Sequence, residues 1–339
     1  MAQSGALNRE ATVKRSSAGV VRLVPPVVGG LLLLFSLIGL IGSAIRDPRP
    51  HDIPVGLVGP PAAVQQMSTA FGSAAPGAFQ FTSYSSEADA RAALDARTVD
   101  GFFVIGPSPR LVVAGAAGDA STGVMTAAFT NALKAQGGTL TVETVHPFAT
   151  GDAHGLILFF VVVAVIVSAL VSQALVFATA NAAGFGEQLV VVVAFSVLAG
   201  LVGMGTATWL AGDYGSGFWT AAGLVTLGAA AVGAVVAGLA QLFGPPGLAL
   251  AALVVVLLDL VTSGGPVGSQ LLPDFYRWLA PWMPAGQLYT SLRSALYFDG
   301  AALGTPLAVM AAWLVGGIVL MGLGEVVHSR RRAAVAPAA

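Results

Sequence analysis

A charged side chain inside an apolar run is the first place where this sequence could do chemistry. Asp259 directly follows the five apolar residues 254–258. A carboxylate within a membrane span is costly to bury and often functional, so Asp259 is a candidate to face a substrate path or to pair with a polar group inside a helical bundle. The alternative is a carboxylate that reaches the outer membrane interface and has no such role.

A second group of candidates lies in the semi-polar connection of residues 263–303. Its prolines, among them Pro281 and Pro284, break it into short helices, and its Trp and Tyr residues are typical of the membrane–water interface. We expect short helices that dip into the outer leaflet and return; a surface loop with interfacial aromatics is the alternative. Irregular backbone at membrane depth must be buried in protein or line a cavity. The candidate substrate-pathway residues are therefore Asp259, Arg293, Pro281 and Pro284.

Sequence patterns for familiar enzyme chemistry are absent. There is no G-x-x-x-x-G-K-[ST] phosphate loop, so ATP hydrolysis by this chain itself is not expected, and there is no H-E-x-x-H or G-x-S-x-G motif. The four histidines are scattered, which is typical of solvated or interfacial residues rather than a metal site. The chain has no cysteine, which excludes disulfides, thiolate zinc sites and cysteine nucleophiles. We expect neither an enzyme nor a metal or cofactor site.

The elements that must position these candidates are membrane helices. Of the 339 residues, 56% are hydrophobic and only 9% are charged, and the mean hydropathy is +0.83. Soluble domains carry about 25% charge, so this composition indicates a bilayer as the solvent. Apolar runs predict about six transmembrane helices, at residues 24–45, 156–178, 189–211, 218–239, 248–262 and 306–327. The fifth run is short unless Pro245 and Pro246 begin it.

The first apolar run has a second interpretation. Gly42-x-Ala44 is a small-x-small site after a basic start, so residues 24–45 are either an uncleaved helix or a signal peptide. The later spans carry small-residue faces, which allow close helix packing without any appeal to transport. Those faces contain Gly200, Gly203 and Gly205 in one span and Gly228, Gly233 and Gly238 in the next.

Residues 46–153 have a different composition, with nine acidic and six basic residues, and are predicted to face water. Strands and helices alternate, which is typical of a small α/β domain. Ser86 followed by Asp89 marks a capped helix start. Predicted strands cover residues 53–58, 79–84, 101–105, 111–114 and 139–145, and predicted helices cover 62–71, 86–97 and 121–136. The fold class is thus an α-helical polytopic membrane protein with an extracytoplasmic α/β domain between helices 1 and 2.

Basic residues at both ends orient the chain. The N-terminal segment 1–23 carries Arg9, Lys14, Arg15 and Arg22, and the tail 328–339 carries three arginines at 330–332. By the positive-inside rule both termini are cytoplasmic, which an even number of spans allows. The α/β domain and the 263–303 segment of the five-helix domain, residues 154–327, then lie outside. We therefore expect a multi-pass protein of the cell membrane.

The layout and three sequence stretches resemble the membrane subunits of type-2 ABC exporters, in the subgroup with a large external insertion that includes phage-infection-protein-like permeases. The first stretch, residues 52–58 (DIPVGLV), is similar to the family's first external strand. The second, residues 87–105, ends in DGFFVI and resembles its next helix and strand. The third runs from Leu272-Pro273 through Pro284 to Arg293 and Tyr297 and is similar to its loop before the last span.

This resemblance implies a permease that works as a homodimer or heterodimer with a separate cytoplasmic ATPase, so that ATP acts only through the partner subunit. It assigns ATPase coupling to Gly184, Phe185 and Glu187 in the loop between the second and third spans and to Arg15 in the N-terminal segment. That loop is short and has no basic residue, which departs from the family pattern. Nucleic acid is not an expected partner.

Two functions follow as expectations. The first is export of a lipid, polymer or hydrophobic compound. The second is a non-transporting receptor, assembly or secretion accessory protein whose external domain binds a partner. Substitution of Asp259 or Arg293 discriminates them, because only a transporter needs those side chains for activity.

Overall fold

The computed structural model describes residues 28–32, 34–44, 46–180 and 184–335. The chain divides into two compact units, Met1–Arg46 and Asp47–Ala339. The first unit contains an apolar helix, α1, at Val28–Ala44, which is shorter than the five spanning helices described below. The predicted first span at 24–45 therefore lies partly outside the described residues.

A five-stranded sheet with three helices occupies the start of the second unit. The strand order is β2-β1-β3-β4-β5, with all neighbours parallel except the β3–β4 pair. The strands are β1 (Ile53–Val58), β2 (Phe79–Tyr84), β3 (Gly101–Val104), β4 (Arg110–Ala114) and β5 (Thr141–Val145). The helices are α2 (Pro61–Ala74), α3 (Glu87–Asp95) and α4 (Asp119–Lys134).

The two faces of this sheet carry separate apolar layers, because side chains alternate along a strand. Phe103 packs with Phe71 of α2 and Phe129 of α4 on one face. Its neighbour Phe102 packs with Leu94 of α3 on the other face, together with further apolar residues that include Phe298. The result is a three-layer arrangement in which the second apolar layer also receives a residue from far along the chain.

Five helices of the second unit are long and apolar enough to cross a membrane. They cover Leu156–Thr179, Phe185–Ala211, Gly215–Phe243, Pro245–Thr262 and Gly304–Val327. These spans agree with the predicted ones to within a few residues at their ends, and they confirm that the chain is a polytopic membrane protein. The helix Pro245–Thr262 corresponds to the fifth predicted span. It begins at the Pro245–Pro246 pair, which gives it the length that a span needs.

These spans contain the remaining long helices and one irregular element. The helices are α5 (Leu156–Thr179), α6 (Phe185–Ala211), α7 (Phe218–Phe243), α8 (Pro245–Ala251), α9 (Asp259–Thr262) and α12 (Gly304–Val335). A π-helical segment, Ala252–Leu258, joins α8 to α9. The 263–303 connection forms α10 (Asp274–Leu279) and α11 (Pro284–Tyr297), with two short 3-10 turns before α10 and one between the two helices.

α7 is the central helix of the bundle, and small residues let its neighbours approach closely. A Cβ on Gly238 would lie 2.5 Å from the Leu320 Cβ of α12, and one on Gly200 would lie 2.5 Å from the Ala222 carbonyl oxygen. Gly228 lies against Leu288 of α11 in the same way. Gly205 is different, since nothing lies within 4 Å of the Cβ position there. Close packing therefore explains three of the six predicted glycines, whereas a Cβ at Gly203 or Gly233 would make only ordinary van der Waals contacts.

Candidate functional site

A polar pocket of about 290 Å³ lies where the sheet region meets the end of α9 and the start of α11. Its walls come from three parts of the chain: the segment before β1, the 262–281 stretch, and one side of α11. The lining residues used below are His51, Asp52, Gln270, Arg277, Pro281 and Arg293. The pocket thus contains two of the four predicted pathway residues, Pro281 and Arg293.

Asp259 lies directly beside this pocket and is fully buried. Its Oδ1 accepts a hydrogen bond from the backbone N–H of Ala285 at 2.8 Å, next to the lining residue Gly286. Its backbone carbonyl accepts from the hydroxyl of Thr262, which also lines the pocket. Oδ2 has no hydrogen-bond partner among the described residues. Asp259 thus accepts a hydrogen bond from a backbone donor inside the protein, and its role in a substrate path stays a prediction.

The backbone around Asp259 explains how a carboxylate comes to lie there. The π-helical segment Ala252–Leu258 widens the turn immediately before it, and such segments occur frequently at functional sites. On the other side, Pro284 begins α11 and has no N–H, so Ala285 offers the first free donor at this helix start. Pro284 therefore acts on the site through the backbone that it sets, and it does not line the pocket.

Arg293 is held by two fixed contacts. Its Nη1 donates to the carbonyl oxygen of Ala117, which follows β4, and its guanidinium lies 4.6 Å from the ring centre of Tyr289. Its Nε is buried and has no partner among the described residues. Among the described residues no carboxylate forms a salt bridge with Arg293, although the buried carboxyl of Asp100 interacts with its charge. The contact to Ala117 instead fastens α11 to the sheet region.

The opposite wall carries a second basic group with carboxylate partners. Arg277 lies 3.4 Å from Asp52 and 3.6 Å from Asp274. His51 donates its backbone N–H to the carbonyl of Gln270 at 2.9 Å, and its ring Nδ1 is buried without a partner among the described residues. This wall therefore joins the segment before β1 to the 263–303 connection, and it adds an imidazole to the pocket.

A further polar layer lies between the sheet and α11. Arg97 donates to the carbonyl of Thr290 and to the hydroxyl of Ser294. Burial, together with the neighbouring charge of Arg293, lowers the pKa of Arg97 to about 10, so it stays cationic at neutral pH. Burial raises the pKa of Asp100, while the side-chain amide of Gln270 and the two arginines oppose that shift. Two guanidinium groups therefore lie close together beside the pocket.

Three of the predicted ATPase-coupling residues, Gly184, Phe185 and Glu187, lie at the start of α6, away from the polar pocket. Gly184 precedes α6, and its N–H donates to the Glu187 carboxylate at 3.3 Å, so Glu187 caps the helix start. Phe185 packs with Val192 and Met321. Arg15 lies outside the described residues. The structure thus gives Glu187 and Phe185 local contacts, and their role in coupling stays a prediction.

Sequence reasoning missed His51, Arg277, Gln270, Arg97 and Asp100 as parts of this site. No sequence pattern marks Arg277 as a site residue, and His51 is one of four scattered histidines. One sequence signal could have placed two of them together. His51 directly precedes the stretch DIPVGLV and Asp100 begins DGFFVI, and the strands predicted in these stretches are parallel neighbours in the sheet. Both residues contact Gln270, which lies more than 150 positions further along the chain, and no local sequence pattern predicts such a contact.

An apolar groove of about 500 Å³ runs between α5 and α6. Its walls are almost entirely hydrophobic, with Phe160, Leu198 and Val202 more than half exposed at its rim and Ser168 and Thr206 as polar lining residues. Exposed apolar side chains of this kind are expected where lipid replaces water. The groove is therefore a second concave surface, distinct in chemistry from the polar pocket.

Comparison with known proteins places the chain in a family but adds no named relative. Among the described residues no group of three or more His, Cys, Asp or Glu side chains is arranged to hold a metal ion. No curated protein and no solved structure matches the sequence. A family described as a protein of unknown function, DUF3533, matches residues 124–319, which include α5 to α11, the first half of α12 and the Asp259 and Arg293 side of the pocket. Because the match covers more than half of the chain, this protein belongs to the DUF3533 family.

Proposed function

We propose that this chain is the membrane subunit of an exporter that moves a lipid or another hydrophobic compound outward, powered by a separate ATPase. The observation that carries the proposal is the position of Asp259. A fully buried carboxylate follows a π-helical segment within a membrane span and lies beside a polar pocket. Interrupted helices and buried ionisable groups at such positions are typical of transport pathways.

The cost of this arrangement supports a functional interpretation. A buried charged or polar atom without a partner costs free energy, and Asp259 Oδ2 has none among the described residues. A stable bundle needs no such group, since an apolar residue would fill the same space. The Ala285 contact explains one carboxylate oxygen, and a cargo or a coupled ion would give the other a partner.

The apolar groove between α5 and α6 supports the hydrophobic character of the cargo. It is large enough for an acyl chain, and its rim lies on lipid-facing helix surfaces. A polar pocket beside α9 and α11 and an apolar groove between α5 and α6 give the two environments that an amphipathic molecule requires. A purely polar solute would have no use for the second.

We further propose that the sheet region faces the outside of the cell membrane and that both termini are cytoplasmic. The arginines at 330–332 lie near the C-terminal end of α12, away from the sheet region, and the positive-inside rule places such a basic end in the cytoplasm. The same orientation puts Gly184, Phe185 and Glu187 on the cytoplasmic side, where an ATPase subunit would dock. A second permease copy, identical or related, completes the assembly.

Affinity purification of the tagged full chain, in mild detergent from its source cells, tests the proposal. The expected result is recovery of an ATP-binding subunit whose ATP hydrolysis rises when the chain is present. Phe185→Ala should reduce that recovery, whereas Val190→Ala, an exposed position in the next turn of α6, should not. Absence of any ATP-hydrolysing partner, together with unchanged efflux after gene deletion, would contradict it.

One observation favours the second function, a membrane protein whose external domain binds a partner. The sheet ends in β2 and β5, each with one unpaired strand edge, and Val142 on β5 is 40% exposed. Such an edge can accept an added strand. In that case, Val142→Lys would abolish function and Asp259→Asn would not; the exporter predicts the reverse.

A further inference from the structure

The polar pocket is lined by a cation, Arg293, that forms no salt bridge with any carboxylate of the described residues. Arg277 has two partners, Asp52 and Asp274, within 4 Å. Arg293 has none among the described residues: Nη1 binds a neutral carbonyl, the ring of Tyr289 covers one face, and Nε is buried and unpaired. A partly buried charge without an ion-pair partner is costly, and a ligand of opposite sign would offset that cost.

A second cation strengthens the field at the same place. Arg97 lies close enough to Arg293 for the two charges to repel, and its own bonds go to a carbonyl and a hydroxyl. The carboxyl of Asp100 interacts with both arginines, and burial opposes that attraction by raising the pKa of Asp100. His51 adds a ring nitrogen without a partner. The pocket wall thus carries two buried nitrogens without a partner among the described residues, His51 Nδ1 and Arg293 Nε.

Guanidinium groups suit phosphate in particular. Arginine offers planar, strongly directed N–H donors that match phosphate oxygens, and it is less costly to desolvate than lysine. The orientation of Arg293 is already fixed by Ala117 and Tyr289, so little side-chain freedom would be lost on binding. A volume of about 290 Å³ admits a headgroup and excludes a whole lipid.

The depth of the pocket identifies the source of that phosphate. The span Pro245–Thr262 has 18 residues, and at ~1.5 Å per residue its length approaches the ~30 Å of a bilayer's hydrocarbon core. Thr262 and Ser263 line the pocket at the end of that span, where headgroups lie. Trp278 and Trp282, which are 69% and 64% exposed, belong to the same segment and are typical of this interface.

We propose that the pocket formed by His51, Arg277 and Arg293 binds the phosphate headgroup of an anionic phospholipid. This deepens the proposed export function, since it names the chemical class of the exported compound. The claim that the lipid is exported rests on the proposed function, whereas the claim that the pocket binds it does not. Binding itself is measured without an ATPase or any transport. A chain that binds the lipid but does not export it would retain the pocket assignment and lose the proposed function.

The test is native mass spectrometry of the purified full chain titrated with phosphatidylglycerol or phosphatidylcholine of identical acyl chains. We expect tighter binding of the anionic lipid. Arg277→Gln and His51→Asn should each weaken it about tenfold, the equivalent of one lost hydrogen bond to a charged group. Arg293→Lys keeps the charge but removes Nε, and should weaken binding similarly. Arg49→Gln removes an exposed arginine outside the pocket and should leave binding unchanged.

Folding and the phosphate source are controlled separately. Each variant is compared by melting temperature and elution profile, and Arg277→Gln and His51→Asn keep the test decisive if Arg293→Lys does not fold. Inorganic phosphate is titrated in parallel. Equal binding of both lipids by the native chain, or an unchanged preference in all three pocket variants, would overturn the proposal. Tight binding of inorganic phosphate without any lipid preference would also overturn it.

Discussion

The Asp259 carboxylate and the Ala285 backbone amide form a 2.8 Å hydrogen bond that joins the interrupted span α8–α9 to the first turn of α11. α11 then carries Tyr289 and Arg293 toward the sheet region. One buried carboxylate therefore connects the membrane bundle to the pocket and, through Arg293, to Ala117 beyond it. Substitutions of Asp259 that remove the acceptor oxygen and substitutions that remove only the negative charge should therefore have different effects.

Asp259→Ala should destabilise the protein, and Asp259→Asn should not. Alanine leaves the buried Ala285 N–H without an acceptor, at a cost of roughly 1–3 kcal/mol. Asparagine retains an oxygen acceptor at the same place and removes only the charge. Melting temperatures of the two variants in the same detergent check the difference. Equal destabilisation by both would show that the negative charge itself is structural.

Close packing of α7 against α12 should depend on Gly317 but not on its neighbour Gly316. A Cβ on Gly317 would lie 2.5 Å from the backbone nitrogen of Val235, whereas nothing lies within 4 Å of the Cβ position at Gly316. Gly317→Ala should therefore cost about 1–3 kcal/mol through overpacking, and Gly316→Ala should be neutral. Unfolding in graded denaturant measures both. Two neutral variants would contradict the helix contact.

The absence of native cysteine allows the orientation to be tested with single introduced cysteines. Ser108 in the sheet region and Ser329 near the end of α12 are both exposed. In intact cells a membrane-impermeant maleimide should label Ser108→Cys, and it should label Ser329→Cys only after permeabilisation. The opposite pattern would reverse the proposed orientation, and labelling of both in intact cells would place the tail outside.

Acid should weaken the sheet region through Glu143. The hydrogen bond from Arg91 is the largest cause that lowers the pKa of Glu143 below its ordinary value of 4.5, and Arg110 adds to it. A carboxylate with a depressed folded-state pKa stabilises the fold above its unfolded pKa, and this contribution disappears as pH falls through the folded value. Thermal melting between pH 3 and 7 should therefore show a shallower acid decline for Glu143→Gln.

The control for that measurement is Asp213→Asn, whose carboxylate accepts only a local backbone hydrogen bond among the described residues. It should follow the native acid profile. An identical profile for Glu143→Gln and the native chain would mean that the Arg91–Glu143 pair contributes nothing measurable, as is common for partly exposed ion pairs.

Local pattern predicted most of the secondary structure. β1 and β2 were predicted with the observed bounds, because β-branched and aromatic residues are bounded there by turn residues. Ser86 caps α3 as expected, since its hydroxyl accepts the Asp89 N–H at 3.1 Å. The spans were found by length and hydropathy alone. These features depend on neighbours within a few positions.

The site could be predicted only in part, for a physical reason. Asp259 was found because charge within an apolar run is costly. Its acceptor role required the Ala285 amide, and the Arg293 contact required Ala117, 176 residues away. The π-helical segment Ala252–Leu258 has no sequence pattern that separates it from an ordinary apolar helix. Tertiary packing, rather than local preference, brings these groups together.

The most direct test of the exporter is ATP-dependent uptake into inside-out membrane vesicles of the source cells. The fluorescence of a labelled phospholipid and of a hydrophobic dye would be followed with the native chain, with Asp259→Asn and with Arg49→Gln at matched protein levels. Export predicts ATP-dependent uptake of at least one probe that Arg49→Gln retains and Asp259→Asn loses. Identical uptake by native vesicles and vesicles lacking the chain would contradict it.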